Sequence, residues 1–266
     1  MLSDITIGQY VPGSSIIHQL DPRTKLIAII PYIIALFTVD NWQGIALVTI
    51  VTLSILFLSR LPWGFVFRGL KPIIIIIIIT IPLHLFFTPG EVVTTLGPFK
   101  ISQEGIFRAA FISLRLIYLV LITSLLTLTT SPIRLTDGLE NLLGPTKRIG
   151  IPAHELAMMM TIALRFIPTF LEETEKIMKA QKARGADFES GSIIRKGKNL
   201  VPLLVPLFIG AFRRADDLAM AMEARCYRGG ENRTKMKDLR FAVRDGVALA
   251  VIMVVLSLSI GIRIIG

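Results

Sequence analysis

The chain has 266 residues, of which 53% are hydrophobic and 18% charged, with a mean hydropathy of +0.67 and a formal net charge of +10. Soluble domains carry about 25% charged residues, so an ordinary water-soluble fold is excluded. One cysteine, Cys226, and three scattered histidines exclude a disulfide framework and a Cys/His metal cluster.

The N-terminus is polar, has no early basic flank and no apolar run before Leu26, and is not read as a cleavable signal. Five apolar stretches follow, at about 26–40, 44–59, 73–88, 106–129 and 245–262, each near the ~20 residues that a membrane-crossing helix needs. The third contains IIIIIIITIPLHLFF, a run with no polar face to offer water. The expectation is an all-α polytopic membrane protein of about five spans.

The basic residues alternate between the connections. Arg23 and Lys25 precede the first span, DNWQ (40–43) has none, and Arg60, Arg68 and Lys71 fill the next connection. The loop 89–105 has only Lys100, the stretch 131–244 carries 20 of the 29 basic residues, and Arg263 stands alone near the end. Basic loops stay in the cytoplasm. This predicts a cytoplasmic N-terminus, a cytoplasmic module over 131–240 and an outside C-terminus. The predicted organisation is residues 1–130 with four spans, the module, and a last span over 241–266.

Within the module, SPIRLTDGLENLLGP has the pattern of a short amphipathic helix that Gly144-Pro145 ends. IPAHELAMMMTIALRFIPTFLEETEKIMKAQKARG (151–185) is one helical pattern interrupted by Pro168. Its Glu172–Lys176 and Glu175–Lys179 are candidate i,i+4 pairs. A basic Gly/Ser-containing turn, DFESGSIIRKGK (187–198), leads into NLVPLLVPLFIGAFRRADDLAMAMEARCYRG. There Pro202 and Pro206 should bend the helix and Arg213–Asp217 forms a third candidate pair. Ala211, Ala215 and Ala219 make a small-residue stripe at spacing four, answered by Ala180 and Ala183 on the first helix, so a close helix crossing is expected. Six of the nine methionines lie on these two helices, among them Met158, Met159, Met160 and Met222, side chains that suit either a core or a surface that repacks against partners.

The two long helices end on matching triplets, Ala183-Arg184-Gly185 and Ala224-Arg225-Cys226, whose arginines are 41 positions apart. Gly185 and Gly229 fit the left-handed position that closes a helix, and arginine in a last turn complements the helix dipole. The other reading places each guanidinium in a carboxylate-lined groove of a second protein, where its planar fork makes two charge-assisted bonds.

MTIALRFIPTFLEETEKIMKAQKARG, followed by AMEARCYRG, with the opening GQYVPGSSIIHQLDPRTKLI, resembles the transmembrane T component of energy-coupling factor transporters, the EcfT/CbiQ-like family. The resemblance covers essentially the whole chain. It implies an ATP-driven importer of vitamins or related micronutrients in the bacterial cell membrane. Two ABC ATPase subunits would receive the triplets, and a substrate-binding S component would rest on the methionine- and alanine-rich faces of the two helices. A dedicated cobalt or nickel system is the alternative within the family. Cys226 stands where the family has a small residue, usually glycine.

Nothing resembles G-x-x-x-x-G-K-[ST], and GPTKRIG (144–150) lacks its spacing, so the chain is expected to bind no cofactor and to leave ATP chemistry to partners. His154-Glu155 lacks a second metal-spaced histidine, and Asp137 with Glu140 has the pattern of a solvated face, which argues against an enzyme. The module's charges alternate in sign without interleaved aromatics, which argues for lipid headgroups and acidic protein grooves and against nucleic acid. A secondary transporter would want repeats and midplane ionisable groups; only His84, Arg115 and Arg108 are available, and Arg115 is expected to anchor to carbonyls or a neighbouring helix.

Overall fold

The computed structural model describes residues 10–96, 99–150, 152–186, 188, 193–230 and 239–265. Its helices are α1 (Ile16–Gln19), α2 (Pro22–Thr38), α3 (Trp42–Ser59), α4 (Trp63–Phe87), α5 (Gln103–Thr129), α6 (Pro132–Leu143), α7 (Ala153–Ala183), α8 (Ile193–Ala224) and α9 (Val243–Ile265). The one sheet among the described residues is an antiparallel hairpin, β1 (Val92–Leu96) with β2 (Phe99–Ser102), in the loop between α4 and α5. The all-α expectation holds. The hairpin was signalled only by the β-branched run before Gly97-Pro98.

By length and composition, four helices among the described residues can cross a membrane: Trp42–Ser59, Trp63–Phe87, Gln103–Thr129 and Val243–Ile264. α2, which carries the first of the five apolar stretches, has 17 residues, or ~26 Å at 1.5 Å per residue, just short of a ~30 Å hydrocarbon core. α4 starts ten residues before its apolar run, so Arg68 and Lys71 sit on its first turns and not in a loop. α8 likewise begins at Ile193, absorbing the expected basic turn after residue 192, because a single glycine among Lys and Arg costs a helix only about 1 kcal/mol. Residues 187 and 189–192 of that turn lie outside the described residues.

The described residues divide into two compact units: one of residues 10–141 and those from 239 onward, the other of residues 142–230. In the first, α4 packs on α5, α2 on α9, and α3 on α5 and α9. Its core is built on Tyr32, Val48, Leu121 and Leu128. Two hydroxyl pairs cross it: Tyr32 with Thr52 at 2.5 Å and Tyr118 with Thr49 at 2.7 Å. Such pairs join apolar helices where lipid offers no hydrophobic drive for association. Almost all of α6 belongs to this unit. Gly138 lies so close to α2 that a Cβ there would stand 2.9 Å from the Pro22 side chain.

The start of α2 is the unit's polar corner. Asp21 caps the helix, accepting from the Arg23 backbone N–H at 2.9 Å, and its carboxylate also takes two guanidinium bonds from Arg23. Arg23 reaches onward to the Leu239 carbonyl at 3.0 Å and stacks over the Phe241 ring. Lys25 is buried and places its ammonium on the Thr129 carbonyl and the Thr129 and Thr130 hydroxyls at 2.8–3.2 Å, fastening α2 to the end of α5. At the other end of α2, Arg115 donates to the Val39 carbonyl at 2.8 Å and meets Asp40 at 3.3 Å, the anchoring role expected of it.

Candidate functional site

The second unit is built on α7 and α8, of 31 and 32 residues, about 46–48 Å each. Gln181 meets the Pro202 carbonyl at 3.5 Å, Glu173 pairs with Arg214 at 2.7 Å, and His154 Nε2 meets the Tyr227 hydroxyl at 3.4 Å. Residue numbers fall on one helix as they rise on the other, so the pair is antiparallel. The tips at Arg184 and Arg225 therefore lie at opposite ends, roughly 35–40 Å apart along the axis.

Each tip closes in the same way. After α7, the Gly185 N–H bonds the Lys182 carbonyl at 3.0 Å and the Ala186 N–H bonds the Gln181 carbonyl at 3.0 Å. After α8, the Cys226 N–H bonds Glu223 at 2.8 Å and the Tyr227 N–H bonds Met222 at 3.0 Å. Both patterns are the 5→2 and 6→1 bonds of a Schellman cap. Gly185 has φ 85° and Cys226 φ 55°, so the third residue of each triplet holds the left-handed position. This corrects the expectation for Gly229: its φ is 84°, but it lies three residues past the turn that Cys226 makes. The caps turn the chain sharply at each arginine. Arg184 and Arg225 are exposed, with no side-chain partner among the described residues, as are Ala183, Ala224 and Cys226.

The side-chain bonds between α7 and α8 come from polar residues beside the alanines. Glu173 reaches Arg214, which also lies 5.7 Å from the Phe170 ring, and Gly210 lets Glu173 approach. Ala180, Ala183, Ala215 and Ala219 are exposed and Ala211 is half-buried, so the stripe is not buried between the two helices. On α8 it continues an open apolar seam: Val201, Val205, Phe208, Phe212, Ala215 and Ala219 are exposed and Met222 half-buried, at alternating spacings of four and three. That 3.5-residue period is the pattern of a helix awaiting another helix. On α7, Leu156, Met160, Ala163 and Ile167 form a shorter exposed seam, with Met159 exposed beside it and Met158 half-buried. Sequence reasoning found the stripe but not its direction; the pairing of Glu173 with Arg214 had no local signal. The three i,i+4 pairs do not close among the described residues, as expected of long exposed side chains whose attraction in water offsets little of their entropy. No group of His, Cys, Asp and Glu among the described residues could hold a metal ion.

Long apolar helices in one unit and two long, exposed, arginine-tipped helices in the other define a polytopic α-helical membrane protein. Residues 13–236 match the sequence profile of the CbiQ family, described as cobalt transport protein. The chain is 58% identical over 92% of its length to an energy-coupling factor transporter transmembrane protein EcfT of Thermosediminibacter oceani, covering 92% of that protein. It is 56% identical to the EcfT of Clostridium kluyveri over 99% of this chain and 98% of that one, and 50% identical to that of Bacillus subtilis over 99% and 100%. The chain belongs to the CbiQ/EcfT family, and is a membrane-embedded transporter component, as its sequence resemblance implied.

Proposed function

We propose that this chain is the coupling subunit of an energy-coupling factor importer, carrying movement from two ABC ATPase subunits to a substrate-binding membrane subunit for vitamin or related micronutrient uptake. The observation that carries this reading is the pair of exposed arginines, without side-chain partners among the described residues, on matching caps at opposite ends of one antiparallel helix pair. Two equivalent tips suit two equivalent grooves. A carboxylate-lined groove would supply the bidentate acceptors a guanidinium prefers. The substrate-binding subunit rests on the open seams of α7 and α8, with Met158, Met159, Met160 and Met222 on or beside them. Charge placement puts the N-terminus and the module in the cytoplasm and the C-terminus outside, in the bacterial cell membrane. Catalysis belongs to the ATPases.

The test is the double variant Arg184→Glu with Arg225→Glu, purified from membranes with its partners. Loss of both ATPases with normal membrane insertion is the expected result, with single variants losing less. Stoichiometric copurification of the double variant would refute the docking assignment. The description cobalt transport protein favours, as a second reading, a dedicated metal importer; a metal-binding membrane subunit in the purified complex would decide for it.

A further inference from the structure

The first unit contains a groove of about 610 Å³, within the ~300–1,000 Å³ range of small-ligand sites. Its floor is the buried face of α2 and α5, including Tyr32, Ile122 and Leu125, and its rims are the exposed Ile50 and Leu58 of α3 and Val247 and Val251 of α9. It extends from Thr24 to Tyr32 on α2, from Ile50 to Leu58 on α3 and from Arg244 to Ile252 on α9. Each wall is eight residues of rise, about 12 Å, most of one leaflet's half of a ~30 Å hydrocarbon core.

The polar groups in the walls are mostly occupied. The Lys25 ammonium is spent on Thr129 and Thr130, the Ser54 hydroxyl donates to Ile50, and the Tyr32 hydroxyl pairs with Thr52. A sugar-like or peptide-like ligand would find nothing to bond along the shaft. The exceptions stand together at one end. The buried Thr24 hydroxyl has no partner, and Arg244 gives one N–H to Gln19 Oε1 at 2.6 Å while no carboxylate pairs with it among the described residues. The groove is thus a greasy shaft whose mouth holds a guanidinium that no carboxylate neutralises among the described residues.

We propose that this groove holds one acyl chain of an anionic phospholipid whose phosphate sits against Arg244. The apolar shaft takes the chain, the rims on α3 and α9 open it sideways, and the cation selects the headgroup. A neutral lipid would fit the shaft but forgo the charge-assisted contact. Such a lipid would wedge α3 from α9.

The test uses the full transporter complex, stripped of lipid in detergent and titrated with dioleoylphosphatidylglycerol or dioleoylphosphatidylcholine, with retained lipid read by native mass spectrometry. Wild type is expected to keep one phosphatidylglycerol per chain in preference to phosphatidylcholine. Arg244→Gln should weaken retention of phosphatidylglycerol about fivefold, removing the preference. Ala248→Trp fills the groove from the α9 side and should abolish retention of either lipid. Ser54→Trp does so from the α3 side and serves if the first variant misfolds. Equal retention of both lipids by wild type, or unchanged retention in the tryptophan variants, overturns the proposal. So does a crosslink from Ser54 or Ala248 to a second protein chain.

Discussion

Gly185 and Cys226 occupy the same backbone position, one residue past a C-cap arginine, and both adopt positive φ, at 85° and 55°. For glycine this is free; for a residue with a Cβ it costs about 1–2 kcal/mol, because the Cβ crowds the following carbonyl. The α8 tip therefore carries strain that the α7 tip does not. Cys226→Gly should raise stability by about 1 kcal/mol, read as a higher melting temperature in detergent, with ATPase association retained. Gly185→Ala should lower it by about the same amount, since it introduces the crowding that Cys226 already bears.

The open seam on α8 gives a separate expectation. Phe208 and Phe212 are 60% and 69% exposed, which large aromatics rarely are without a covering surface. Phe208→Glu with Phe212→Glu should leave the chain folded, because neither side chain contributes to its core, and should leave both ATPases bound. Retention of the substrate-binding subunit should fall at least tenfold, since each phenylalanine buries ~1.5–3 kcal/mol at such an interface. Copurification quantified by gel densitometry separates this outcome from that of the arginine variants. Unchanged retention would remove the seam from the proposed interface.

How much of this was legible beforehand follows from the range of each interaction. The apolar stretches, the two long helices and the arginine tips are set by neighbours within a turn or two, and the sequence states them directly. The handedness at Cys226 was hidden because cysteine is not a residue that announces positive φ; only its alignment with Gly185 in the matched triplets points there. Glu173–Arg214 and Asp21–Asp245 join residues 41 and 224 positions apart, and no local pattern specifies such partners. The alanine stripe was visible, but spacing alone does not say which side of a helix faces its neighbour. At Arg115, by contrast, placing a charge within an apolar span was enough to require an anchor, and Val39 supplies it.

Asp245 is 1% exposed, and its two carboxylate oxygens accept the backbone N–H groups of Asp21 and Ala242, both at 2.8 Å. The second bond is the N3-to-N-cap half of a capping box at the start of α9; the first fastens that start to the cap of α2. Asp245→Ala leaves two donors without acceptors in a dry corner and should cost about 2–4 kcal/mol. Asp245→Asn keeps one good acceptor and should cost roughly half as much. The ordering of melting temperatures, wild type above Asn above Ala, checks this, and equal losses would mean that the two bonds do not contribute independently.

The same corner should be acid-sensitive. His18 is buried, its Nε2 donating to the Val11 carbonyl at 3.1 Å and its Nδ1 facing the Ser15 hydroxyl at 2.7 Å. Burial, joined by the nearby Lys25 charge and opposed by the Val11 bond, holds its pKa below the usual 6.5. The unfolded chain therefore takes up this proton first. The stability it contributes is complete above 6.5 and is lost as pH falls from there through the folded value. Asp21 follows at lower pH. Burial raises its pKa, but its Arg23 bonds and the charges of Arg23 and Arg134 outweigh that and hold it below 3.8. Its contribution is present above 3.8 and vanishes as pH falls through the depressed value. Melting temperature should thus drop in two steps on acidification, the first setting in as pH falls below the ordinary histidine value of 6.5 and the second below 3.8. His18→Gln, which keeps a donor for Val11 but does not titrate, should erase the first step and leave the second. A first step that survived in that variant would assign it to some other group.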